Sequence, residues 1–165
     1  MDTEVILKDE YEILSKRFRE LLSTLAELHA FTSTINWDDN HDIFETIKEI
    51  TGKVNQAYVM INNYKINNAY AYIASKYIIH IISDVKIVRI PSLTEKIHDY
   101  AFNLDSILTG DLAYITKLTD KTIQQCEWIS NVVLAVRRKL SSYGVTDEGS
   151  LLPSQAESLF NPSIN

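Results

Sequence analysis

Leucine recurs every seven residues near the start of this chain, at Leu7, Leu14, Leu21 and Leu28, with Tyr11, Phe18 and Leu25 between them. The spacing is the alternating 4-3 step that lays one apolar seam along a helix. Such a seam must be covered, either by another part of the chain or by another chain. With the leucines at d, Leu22 and His29 fall at e, and Glu10, Arg17, Thr24 and Phe31 at g. Leu22 and Phe31 widen the stripe beyond what a two-chain zipper needs, which favours a bundle of three or four helices over a dimeric zipper. No basic region precedes the leucines, so a basic-zipper DNA reader is poorly supported.

Composition agrees with helices. Four Gly and three Pro in 165 residues leave few breakers, and all three Pro lie at or beyond position 91. Isoleucine is abundant, yet its spacing is helical, so an all-β fold is disfavoured. The formal net charge of −6 argues against bulk attraction to nucleic acid or to an anionic membrane. A lone cysteine, Cys126, cannot form an internal disulfide and fits a reducing compartment. The start, Met1-Asp2-Thr3-Glu4, is unlike a secretory signal, and the most apolar run, 77–82, is far too short to span a membrane.

The pattern predicts about four helices. The first runs from about Thr3 to Thr34. Asn36 to Asn40 breaks the pattern and supplies caps for the next helix. From Ile43 the 4-3 spacing continues through Ile47, Ile50, Val54, Ala57, Ile61, Tyr64, Asn68, Ala71, Ser75, Ile78, Ile82 and Val85. The simplest reading is one very long second helix, roughly 65 Å at about 1.5 Å per residue. The alternative is a break near 63–68, where four Asn in seven residues compete for backbone hydrogen bonds. Pro91 followed by Ser92-Leu93-Thr94-Glu95 reads as a stop and a capping box, starting a third helix at Leu93 that Gly110 ends. Asp111 would cap a fourth, running from Leu112 to about Tyr143, with Gly144 as its C′ residue. Residues 1–144 form the bundle domain in this reading, and 145–165 a flexible tail, with Leu151, Leu152, Leu159 and Phe160 as the alternative, a short docking motif.

The segment Ile50–Ser83 holds no Asp or Glu, three Lys and five of the nine Tyr. On one continuous helix Tyr58, Lys65 and Tyr72 share a side, with Asn62 and Lys76 beside them. Tyr and Asn suit a partner surface, and Tyr interleaved with Lys also suits nucleic acid. The structural alternative is that the Tyr rings simply fill the bundle interior. Arg137 and Arg138 close the fourth helix, where the dipole favours cations. These seven residues are the candidate partner contacts.

Catalytic and cofactor chemistry find no footing. Glu95-x-x-His98 is a single motif where a di-iron bundle needs two. Cys126 lies on an inward stripe, and the four Gly are isolated. No metal and no cofactor are expected.

The sequence therefore reads as an all-α, elongated antiparallel bundle with coiled-coil-like heptad seams. Its expected role is that of a non-enzymatic assembly subunit in an intracellular setting, in cytoplasm, nucleus or a virus particle. It would dock other protein chains or copies of itself. The alternative is a small nucleic-acid-binding protein of a ribonucleoprotein or virion, using 50–83.

Overall fold

Burial of the seam residues explains the architecture. In the computed structural model, which describes residues 4–35, 42–103, 109–146 and Phe160, the leucines at 7, 14, 21, 25 and 28 and Phe18 are all buried. What covers them is the rest of the same chain. Five helices are present: α1 (Lys8–Thr32), α2 (Asp42–Met60), α3 (Asn68–Asp84), α4 (Ile90–Asn103) and α5 (Thr109–Ser142). A π-helical turn, Val85–Arg89, joins α3 to α4 without a break, so five helices make four rods. No strand occurs among the described residues.

The rods form an antiparallel four-helix bundle. α1 packs on α2 and α5, and the α3–α4 rod packs on the same two neighbours. Direction follows from the pairs. Tyr11 bonds Asn62 while His29 meets Phe44, so α1 and α2 run oppositely. Tyr114 bonds Glu27 and Lys139 bonds Glu10, so α1 and α5 also run oppositely. Each rod supplies one apolar face to a shared interior, the arrangement short connections between consecutive helices favour.

The long second helix is not continuous. α2 ends at Met60 and gives way to a 3-10 turn, Ile61–Lys65. Asn67 then sits in extended backbone, and its side chain accepts the Tyr70 N–H at 2.8 Å, capping α3. Asn63 donates to the Met60 carbonyl at 2.9 Å within the turn. The asparagines thus supply local partners that helix would deny them. Asn68, swung so that its amide exchanges both bonds with the Val5 backbone at 3.0 and 2.7 Å, ties the segment before α1 to this corner.

The helix does not stop at Pro91 either, and Ser92 is not a cap. Pro91 lacks an N–H, and its ring crowds the carbonyl four residues back. In the π-turn the Ile90 N–H reaches the Val85 carbonyl, five residues back. This wider turn relieves the crowding and carries the helix past the proline. It also advances the buried positions from Val85 to Ile90, Leu93 and Ile97, a step of five where a plain helix steps three or four.

Two further boundaries differ from the sequence reading. α1 begins at Lys8, with Val5 and Leu7 buried ahead of it, and Gly110 lies inside the first turn of α5 rather than ending α4. The end of α5 follows expectation. Gly144 has φ +85°, its N–H reaches the Ser141 carbonyl, and the Val145 N–H reaches Leu140. That is a Schellman cap, with Val145 packed on the core. The break at 36–40 and nearly all of the tail at 145–165 lie outside the described residues. Within the tail, Val145 and Phe160 pack against the core.

Candidate interaction surface

The buried polar side chains are mostly spoken for by the backbone of their own helix. Thr24, Thr32, Ser75 and Thr122 each donate to the carbonyl four residues back, and Thr119 to the carbonyl three back. Ser75 also meets the Tyr64 hydroxyl at 2.7 Å. Because the single Ser75 proton goes to the Ala71 carbonyl, Tyr64 must donate to Ser75. Burial holds the Tyr64 hydroxyl well above its ordinary pKa of 10.0, and pushes the Cys126 thiol up to about 12. Both groups are therefore neutral and structural, and Cys126 is no nucleophile at neutral pH. Among the described residues no group of three or more His, Cys, Asp or Glu is placed to hold a metal ion. Among the described residues no helix is long and apolar enough to cross a membrane.

The break at 61–67 divides the expected Tyr/Lys face. Tyr58 lies between α1 and α2, stacked on Phe18 at 5.4 Å, its hydroxyl 3.2 Å from Ser15. Asn62 accepts from the Tyr11 hydroxyl, and the Lys65 ammonium sits 4.0 Å over the Tyr11 ring. Tyr58 joins α1 to α2, and Asn62 and Lys65 join α1 to the 3-10 turn that follows α2. Tyr72 belongs to another edge, between α3 and α5, where the Arg137 guanidinium lies 4.2 Å above its ring. Lys76 and Arg138 are exposed. The structure brings Tyr58, Asn62 and Lys65 together, and separately Tyr72 and Arg137. It does not set all of them on one face.

The most exposed apolar residues with a defined helical setting lie elsewhere. Ile87 is 67% and Val88 57% exposed, and both belong to the π-turn, with Pro91 exposed one turn on. Ion pairs fix this turn on both sides. Lys86 reaches Glu127 of α5 at 4.0 Å, while Arg89 binds Asp84 at 2.5 Å and Glu49 of α2. Both carboxylates, Asp84 foremost, raise the Arg89 pKa above its usual value, so it stays charged. The turn thus presents two β-branched aliphatics to solvent on a braced backbone. Sequence reasoning missed them because a plain helical wheel assigns no special place to 87 and 88. The signal was present as the five-residue step from Val85 to Ile90. An exposed aromatic, Trp128 of α5, carries the Arg17 guanidinium at 4.7 Å.

Comparison with known families, curated proteins and solved structures finds no match to this chain.

Proposed function

We propose that this chain is a non-enzymatic interaction subunit of a larger protein assembly, and that it docks a partner chain through the π-turn. The observation that carries the reading is the outward display of Ile87 and Val88. A helix running past a proline needs only a wider turn. It does not need two large aliphatics at its most exposed points, where polar residues would cost nothing. Exposed apolar side chains gathered on one rigid element mark contact sites, and π-turns recur at functional positions. The heptad seams serve a different end in this reading. They close the bundle within one chain, so docking falls to the outer faces. Tyr58, Asn62 and Lys65 then act mainly as the lock between α1 and α2 with its 3-10 turn. Their commitment to Phe18, Ser15 and Tyr11 weighs against the nucleic-acid alternative, which asked for one free Tyr/Lys face.

The test is Ile87→Glu with Val88→Glu. Both sites are solvent-exposed, so the fold and its melting midpoint should hold. A photo-crosslinking residue at position 87 should capture a discrete partner in the source cells, and the double variant should no longer co-purify with it. Retention of the same partner by the double variant would refute the reading.

A further inference from the structure

The outer groove between α1 and α5 has the features of a second binding site, independent of the π-turn. Trp128 stands at its centre, 40% exposed. Two depressions of about 510 and 630 Å³ adjoin there, sharing Trp128, Gln125 and Lys121 in their walls. Gln125 is the unusual member. It is only 5% exposed, and its Oε1 has no hydrogen-bond partner among the described residues. A buried amide oxygen left unpaired is costly, and because Gln125 lines the groove wall, a donor arriving in the groove can answer it once the amide turns outward.

The charges point the same way. Lys16, Arg19 and Lys121 line the groove, are exposed, and form no ion pair among the described residues. The carboxylates beside them are already engaged. Glu20 pairs with Arg17 at 3.4 Å, and Glu27 accepts from the Tyr114 hydroxyl at 2.5 Å. On the adjoining wall Lys117 stands against Asp120. With Lys16, Arg19, Lys117 and Lys121 against Glu20, Glu27 and Asp120, the groove carries a small cationic excess on a chain of net charge −6.

We propose that this groove binds an acidic peptide segment of a partner protein. The primary amide of Gln125 offers an acceptor and a donor side by side, the complement of a peptide unit. Trp128 gives an apolar platform, and with Arg17 it belongs to the residue types that dominate protein interfaces. Lys16, Arg19 and Lys121 receive carboxylates at the rim. A polyanion fits less well: a uniform line of phosphates would set a charge against every part of the wall, Glu20 and Glu27 included, whereas a peptide spaces its carboxylates and brings an apolar side chain for Trp128.

Fluorescence anisotropy with a fluorescein-labelled peptide of glutamates around one central leucine tests this on the full chain. Saturable binding is expected, weakening with salt. Lys16→Glu with Lys121→Glu should weaken it about tenfold or more, since opposing charges across an interface become like charges. Gln125→Leu removes the amide without leaving a polar orphan, so the fold should persist while affinity falls by a similar factor. His98→Gln, exposed on α4 and in neither proposed site, should leave the binding curve unchanged. Absence of saturable binding, or binding indifferent to both the charge reversal and Gln125→Leu, would overturn the proposal. Tighter binding of an oligothymidylate that displaces the peptide would also overturn it and assign the groove to nucleic acid.

Discussion

The corner at residues 61–67 rests on one buried contact whose energetics can be worked out in advance. Tyr64 donates to Ser75 Oγ at 2.7 Å, and Ser75 donates to the Ala71 carbonyl at 2.8 Å. Tyr64→Phe removes the donor but leaves Ser75 its own bond to Ala71. The loss is one neutral hydrogen bond, about 1 kcal/mol net. Ser75→Ala does more harm. It strands the Tyr64 hydroxyl, a side chain 7% exposed, with no acceptor, at a cost of about 1–3 kcal/mol. Part of that is offset by roughly 0.5 kcal/mol of helix propensity gained by alanine in α3. The double variant leaves neither orphan, so it should be less destabilised than the sum of the singles by about 1–2 kcal/mol. Urea titration followed by far-ultraviolet circular dichroism measures all four corners of the cycle, with equal slopes required for the comparison. Additivity within about 0.3 kcal/mol would refute the reasoning, because groups in direct contact do not behave as distant ones.

Further outcomes follow from the same structure. The Cys126 pKa is raised from 9.0 to about 12 in the folded chain, so its contribution is complete below pH 9 and is lost as pH rises from there toward 12. The slope is roughly 1.4 kcal/mol per pH unit for that one group, and Cys126→Ala should flatten this part of the stability–pH curve. Gly52, mid-helix in α2 with nothing within 4 Å of an added Cβ, should gain about 0.5–1 kcal/mol on change to Ala. Gly144→Ala, at φ +85°, should lose about 1 kcal/mol by the same titration. Leu14→Ala with Leu21→Ala, both fully buried and two turns apart, should cost about 4–10 kcal/mol together, and a loss below about 1 kcal/mol would mean the seam is not packed as described. Deleting Val88 removes the extra residue of the π-turn, so Ile90 then follows Val85 by the plain helical step of four and Leu93 and Ile97 keep facing the core. The melt should stay cooperative, with a loss of about 3 kcal/mol from the proline crowding that the wider turn relieves.

Much of the interior was legible because burial follows spacing. Every inward position traced from Ile43 to Val85 is buried, including the polar Asn68 and Ser75. That success hid the break between α2 and α3. Ile61, Tyr64 and Asn68 keep the 3-4 step across the 3-10 turn, so the apolar pattern passes through the corner undisturbed. Only the asparagine cluster marked it, through the side-chain bonds of Asn63 and Asn67. The candidate contacts suffered for the same reason. A face drawn on one helix cannot show that Tyr58 is answered by Phe18 of α1 and Tyr72 by Arg137 of α5. The Trp128 groove was out of reach as well, since Lys16 and Lys121 are brought together only by packing of α1 on α5.

Pro91 shows how two local rules can compete. Proline followed by Ser-x-x-Glu is a sound start signal when the preceding backbone is free to leave the helix. Here it was not free. Val85, Ile90, Leu93 and Ile97 are all buried, and holding all four requires the rod to continue. The interior burial of those side chains, each worth about 1.5–3 kcal/mol, outweighs the about 3 kcal/mol a proline costs inside a helix. The conflict is settled by one extra residue in the turn. That residue cannot be buried with its neighbours, because the π-turn has more positions than the core has room for. The widened turn leaves both Ile87 and Val88 outside the core, and their apolar character is the part of the arrangement that the fold alone does not require.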